Sequence, residues 1–339
     1  MTLSTQFHVD TQFTTQDLAL SLDMFSDRVL KPAVAAIANK IDRDGLVMAK
    51  NNTANIVGTA GTPPTGLITY LTAAAYLDAE GAPRDGRRSC IVEPFTSATI
   101  VDSLKGLFVP QEAIGEQYRK GLMGRDSAGM NWKMDQNVVS QTFGSSSTAV
   151  LSCNTSTATG FLTSGWASTS TIALSATTAA GNLNVGDVIQ IANVYAVNPQ
   201  NRQAYGSNKL RNFVVTAAAT VATSGTTSVT VSPAVITAGQ FQNVSVTSPG
   251  ASTVTPFNNT GTVSPQNIIM HRNAFCLAVA DLELPEGVHF AGRASDKEIG
   301  LSMRVVRQYT INNDSIPTRL DVLYGWAPLY PELACRVAA

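Results

Sequence analysis

Between residues 141 and 265 the chain carries only four charged side chains, Asp187, Arg202, Lys209 and Arg211, whereas the other 214 residues carry 43. Ser and Thr account for 39 positions of the same block. A polar, uncharged stretch of this length is either a flexible linker or a β-domain. Short β-branched runs recur in it: DVIQIANVYAV (residues 187–197), NFVVTA (212–217) and TSVTVS (227–232). Turn-forming clusters such as Ala180-Gly181-Asn182 and Asn198-Pro199 separate them. A flexible linker lacks such runs. Runs of this kind with regular turn punctuation argue for a small barrel or sandwich. No repeat of fixed period accompanies them.

The flanking segments read differently. Phe7, Val9, Thr11 and Phe13 alternate as one face of a strand. Leu18, Leu22, Phe25, Val29, Ala33, Ile37 and Ile41 then recur at spacings of three and four, a helical stripe. Pro32 falls inside it and predicts a kink or a division. Gly45, after Asp42-Arg43-Asp44, predicts the helix end. A Gly, Thr and Pro-rich loop (58–66) precedes a second helix with the stripe Leu67, Tyr70, Leu71, Ala74 and Leu77, ended by residues 81–83. A short strand at 90–92 and a third helix at about 97–108 follow, and residues 118–139 read as a Gly-punctuated turn leading into a strand. Long strands at 301–311 and 319–325 meet at a turn, Asn312-Asn313-Asp314. The sum is an α+β chain with an all-β insertion, in three segments: 1–140, 141–265 and 266–339.

Composition narrows the function. With 44% apolar residues and a net charge of -1, the chain has material for a core and is neither disordered nor a basic nucleic-acid binder. No span is long and apolar enough to cross a bilayer, and the N-terminus has no basic patch or apolar run of a secretion signal. Cys90, Cys153, Cys276 and Cys335 are scattered without a CxxC pair, which fits buried thiols in a reducing compartment.

Candidate chemistry does not cohere. His8, His271 and His289 have no His or Cys at ligand spacing and read as surface or half-buried side chains. GRDSAG (124–129) holds its serine out of register for a nucleophile elbow and reads as a turn. GTAGTPPTG (58–66) lacks the Lys-Ser/Thr of a phosphate loop, and its prolines remove amides, so it reads as a mobile loop. Asn-x-Ser/Thr sites begin at Asn51, Asn154, Asn243, Asn258 and Asn313, a chance outcome in a Thr-rich chain without a secretion signal. Arg84, Arg87 and Arg88 read as a solvated turn or a contact with a neighbouring subunit. No catalytic, cofactor-binding or metal residue is assigned. Only 14% of residues are charged, against about 25% in an average soluble protein, which favours a surface covered by other copies.

Several stretches, taken in order, resemble the major capsid proteins of tailed bacteriophages, in particular the podovirus-type coat proteins with a β-barrel inserted in the shell fold. LDMFSDRVLKPAVAAIANKID (22–42), with Arg28, Pro32-Ala33, Ala38-Asn39 and Ile41-Asp42, resembles the start of that family's spine helix. RSCIVEPF (88–95) is similar to its short strand leading to a helix, and YRKGLMGRDSAGMNWKMDQNV (118–138) to its passage from helix to strand. GDVIQIANVYAVNPQ (186–200) followed by NFVVTA resembles the core of the inserted barrel. HRNAFCLAVADLELP (271–285) and RLDVLYGWAPLYPELACRV (319–337) resemble the return to the shell and its closing strand.

The resemblance implies the phage capsid (Johnson) fold and self-assembly into pentamers and hexamers of an icosahedral shell that encloses viral DNA, with the virion as destination and the host cytoplasm as place of assembly. It implies identical subunits, a scaffolding protein, a portal and decoration proteins as partners, non-specific contact with packaged DNA, no membrane and no enzymatic activity. An N-terminal arm and extended loop, usual before the spine helix, are expected to be missing or replaced, and no crosslinking residue carries over. The competing readings are a surface protein with a Thr-rich adhesive β-domain, marked by an upstream secretion signal, and a hydrolase dependent on His271 or His289.

Overall fold

This computed structural model describes residues 2–14, 16, 30–103, 128–146, 149–154, 160–205, 209–223, 225–246, 251–296 and 300–339. The stripe positions Leu18, Leu22, Phe25 and Val29, Arg28, the third helix beyond Ser103 and the passage up to residue 127 lie outside them. The chain divides into two compact units. One comprises Met1–Met48 and Phe275–Ala327, the other Ala49–Ala274 and Pro328–Ala339.

The first unit is a five-stranded sheet under a helix. Thr5–Thr14 alternates between half-buried and exposed, as its Phe/Val spacing predicts, and pairs over ten residues with Ser315–Pro328, from Thr5 opposite Tyr324 to Thr14 opposite Ser315. Leu301–Arg307 and Phe290–Asp296 continue the sheet, and Phe275–Ala280 pairs with the long strand as well. The strand beginning at Leu301 stops at Arg307. A short 3-10 turn, Ile311–Asn313, and Asp314 in the left-handed region (φ 44°) close the hairpin. One sheet face brings Phe7, Val9, Met303, Val305, Leu320, Val322 and Tyr324 against Ala33, Ile37 and Ile41. Those three belong to helix α1, Lys31–Asn52.

Pro32 lies at the start of the described part of α1, and the residues before it that would show a kink or division lie outside the described residues. One local signal along α1 gives way. Gly45 does not end the helix, which runs on to Asn52. Its absent side chain serves packing instead, because a Cβ there would lie 2.7 Å from Cε2 and Cζ2 of Trp326. The same indole donates to the Ile41 carbonyl at 2.9 Å.

The opposite sheet face is polar and charge-matched. Arg319 holds Asp10 through two bonds, 2.8 and 2.9 Å. Arg304 forks onto the fully buried Asp321 at 2.9 and 2.5 Å, and Gln6 donates to that carboxylate at 3.0 Å.

The second unit contains a mixed sheet and a barrel. The sheet runs Ile56–Gly58, Ala334–Ala338, Val263–His271, Arg88–Val92, Asn131–Met134, with Ser140–Thr142 paired to Val263–His271. Helices α2 (Leu67–Ala79) and α3 (Pro94–Ser103) accompany it. Tyr70, Ala73, Ala74 and Leu77 of α2 and Ile100 of α3 cover Val57, Cys90, Val92, Ile269, Cys335 and Val337. Leu71, assigned to the stripe by spacing, is exposed. The loop after Gly58 is held to the closing strand, with Gly61 N–H bonded to the Ala339 carbonyl at 3.1 Å.

The barrel is the charge-poor block. Six strands close a ring in which every neighbour is antiparallel: Val188–Ala196, Leu210–Val215, Thr227–Ser232, Ser170–Ala176, Leu151–Asn154 and Ala251–Pro256, the last returning to Val188–Ala196. Its interior is aliphatic with one aromatic ring: Leu151, Ile172, Leu174, Ile189, Ile191, Val194, Phe213, Val215, Val229, Val231 and Val254 are all buried. A register shift between Gln190 and Tyr195, with Asn193 at φ 65°, marks a bulge in Val188–Ala196. The shift frees the end of that strand to pair also with Val244–Val246, and bulges of this kind supply the bend that closure needs.

Candidate functional site: the seat of the barrel

One cluster of side chains that combine charge, burial and specific geometry lies where the barrel meets the mixed sheet, within the second unit. Strand alternation explains why. Cys335 and Val337 point to α2, so Arg336 and Ala338 point to the other face. There Ala338 and Ile56 pack on Phe143 and on Val188, the first residue of a barrel strand.

Asp187, immediately before that strand, is the hub. Its carboxylate accepts the N–H groups of Gly144 (2.9 Å) and Asn184 (2.8 Å) and the Gln141 side-chain amide (2.8 Å). Gln141 in turn accepts from Lys50 Nζ at 2.6 Å. Residue 144 must be glycine for this arrangement, since a Cβ would lie 1.9 Å from the Asn182 carbonyl oxygen and 2.8 Å from Asp187 Oδ2. Burial raises the Asp187 carboxyl above the ordinary range, opposed by its three donors and by Arg336. Burial pulls Lys50 down to about 8, with Arg336 adding repulsion and Asp187 resisting. Arg336 is fully buried, pulled to about 10 by desolvation and held charged by Asp187, and none of its three guanidinium nitrogens meets an acceptor among the described residues. Two cations and one anion thus share one largely buried layer, where each charge depends on the others.

A second attachment joins the barrel to the end of α2. Arg211 pairs with Glu80, both largely buried, and the Tyr205 hydroxyl donates to the Ala79 carbonyl. Lys209 Nζ stands 3.3 Å from the centre of the Tyr76 ring. Cations at a helix C-terminus meet unpaired carbonyls and the negative end of the helix dipole, so α2 presents the right partner. Burial still raises Glu80, with Arg211 the main counterweight.

Three of the four charges in residues 141–265, Asp187, Lys209 and Arg211, therefore sit at this seat. Arg202 is exposed. In the sequence these four residues stand out by number alone, with no role attached to any of them. Their scarcity was the usable signal, because a charge kept in a charge-free block has a reason to be there.

The remaining candidates fall elsewhere. His271 is buried, not superficial. Its Nε2 donates to Asp85 at 3.2 Å and its Nδ1 accepts from the Asn273 N–H at 3.3 Å, which makes it a structural pin. His8 lies near Asp10, and His289 is exposed. Arg88 is buried rather than solvated, bonded to Asp78 (2.7 Å) and to the Ala82 and Pro83 carbonyls, while Arg84 pairs with Asp78 from the surface. All four cysteines are free thiols. Among the described residues no group of three or more His, Cys, Asp or Glu side chains is placed to hold a metal, and no helix is long and apolar enough to cross a membrane.

A long helix on a long-stranded sheet in one unit, and in the other a mixed sheet with helices and a closed barrel inserted between its strands, define the class by architecture: an α+β chain with an all-β insertion. The family model described as P22 coat protein, gene protein 5, matches residues 5–336, and the chain belongs to that family. It is a major capsid protein, a structural component of a bacteriophage virion. Solved structures similar to it include one from Mycobacterium phage Che8 (10% identity, 99% of this chain and 71% of that chain covered, TM-score 0.41). Others are the capsid of cyanophage P-SCSP1u (10%, 98% and 72%, 0.43) and the mature capsid of bacteriophage PhiM1 (11%, 100% and 72%, 0.43). No curated protein matches the chain.

Proposed function

We propose that copies of this chain close into pentamers and hexamers of an icosahedral shell around viral DNA, assembled in the host cytoplasm on a scaffolding protein, joined to a portal and dressed with decoration proteins. In this reading residues 141–265 form a barrel domain spliced between two parts of the shell fold, 1–140 and 266–339. The chain performs no catalysis of its own. The observation that carries the proposal is the family match spanning residues 5–336.

The physical logic is cumulative. A contact with a dissociation constant of about 1 mM is worth about 4 kcal/mol. Several such contacts on one subunit hold it firmly, while each single error stays reversible. The net charge of -1 supports loose, sequence-independent contact with packaged DNA and no tight binding. Expression of the full chain with sizing and electron microscopy is the test. Closed polyhedral particles are the expected product, and a stable monomer under every assembly condition would overturn the proposal.

A further inference from the structure

The second unit carries an open groove of about 600 Å³ next to the barrel. Trp166 (69% exposed), Tyr330 (63%), Leu329 (55%) and Phe241 (46%) line it, so four large apolar side chains stand open to water in one depression. Isolated exposed apolar residues need no explanation, but a contiguous concave set marks an interaction site. Its charges cancel. Glu80 and Glu332 are offset by Arg211 within the groove and by Lys209 beside Glu80. A neutral aromatic groove gives a phosphate backbone or a charged peptide nothing to pair with, and it suits an uncharged apolar insert.

The first unit carries such an insert. The hairpin of Leu301–Arg307 and Ser315–Pro328 ends in residues 308–313, Gln-Tyr-Thr-Ile-Asn-Asn, six positions without a charge. Ile311, in its 3-10 turn, is the most exposed large apolar side chain among the described residues, at 82%. Tyr309 beside it is exposed too, its hydroxyl bonded to Asp314 at 3.1 Å. Ile311 thus stands at the hairpin tip as a branched apolar knob open to water.

We propose that the groove receives Ile311 from the hairpin tip of a second copy of this chain. The proposal rests on the shell reading above. Area supports a second copy in a many-contact assembly. Aromatic side chains bury about 150–250 Å² each, so the open parts of Trp166, Tyr330 and Phe241 offer roughly 270–450 Å². A standard interface needs about 800 Å² per partner. The contact is too small to hold a free dimer and large enough to serve as one of several joints in a shell. It is also head-to-tail, groove on one copy and knob on the next, the kind of contact that propagates into rings.

Cysteine pairing tests it. Ser168 lines the groove with an exposed side chain. The full-length double variant Ser168→Cys/Ile311→Cys, assembled and then oxidised, is expected to give a ladder of disulfide-linked multimers absent from either single variant. Ile311→Asp, a surface change that leaves the fold's circular dichroism intact, is expected to lower particle yield at least tenfold, and Asn312→Ser to leave it unchanged. Wild-type particles together with no ladder and normal Ile311→Asp yield would overturn the proposal while leaving the shell role standing. A Ser168→Cys crosslink to a different polypeptide, with none to Ile311→Cys, would overturn it equally.

Discussion

The barrel and the open sheet of the first unit solve one problem in opposite ways. Both are built mainly of antiparallel pairs, and both must satisfy strand edges and hold register. The barrel closes on itself, so its six ring strands have neighbours on both sides and its interior is filled by uncharged side chains, chiefly Val, Ile and Leu. The open sheet cannot close. It pins register across its polar face with charge, Asp10 to Arg319 and Arg304 to the buried Asp321, which only correct alignment brings together. Closure therefore permits a block with four charges in it, and openness demands them.

The contrast can be broken from the barrel side first. Phe213 is fully buried in the ring, and Phe213→Ala is expected to cost about 3–5 kcal/mol, read as a lowered urea midpoint. A loss under 1 kcal/mol would mean that the ring is loosely packed. On the sheet side, Arg304→Ala strands a carboxylate that has no exposure, and breaking such a pair costs about 3 kcal/mol. The double variant Arg304→Met/Asp321→Leu should recover most of that loss. Failure to recover would show that register does not depend on this pair. Gly45→Ala is expected to cost about 1–3 kcal/mol by forcing a methyl into the Trp326 indole, and trimming Trp326 to Phe in the same chain should return part of it.

Local pattern made much of this architecture legible. The Phe7-Val9-Thr11-Phe13 alternation, the described part of the α1 stripe (Ala33, Ile37 and Ile41), the α2 stripe and the three barrel runs lie on elements of the expected kind. What stayed hidden is non-local. Leu151 pairs with Val254, about a hundred residues away, and no local rule chooses that partner. Gly45 reads as a helix stop because the reason for it, Trp326, lies far along the chain. His271 reads as a surface or half-buried side chain and Arg88 as part of a solvated turn or subunit contact, because their burial depends on Asp85 and Asp78 being in place. The seat was the least visible feature, since Asp187 and Arg211 gain meaning only when Gln141, Lys50 and Glu80 come beside them.

The smallest expected effect concerns the joint between barrel and sheet. Lys50 loses its proton near pH 8 in the folded chain, against 10.5 for an ordinary lysine. Between those values the unfolded chain binds more protons than the folded one, so this residue makes stability rise with pH across that window and penalises the fold below it. Partial solvent access reduces the effect to about 1 kcal/mol. The buried thiols act in the opposite sense, because burial raises Cys90, Cys153 and Cys335 and the unfolded chain releases their protons first. The informative quantity is therefore the difference between wild type and Lys50→Met, which share those thiols. Lys50→Met should be the more stable chain at pH 7.5 by about that amount, with the gap closing by pH 10 in urea titrations. A gap independent of pH would mean that Lys50 keeps its proton across the window and does not couple folding to pH.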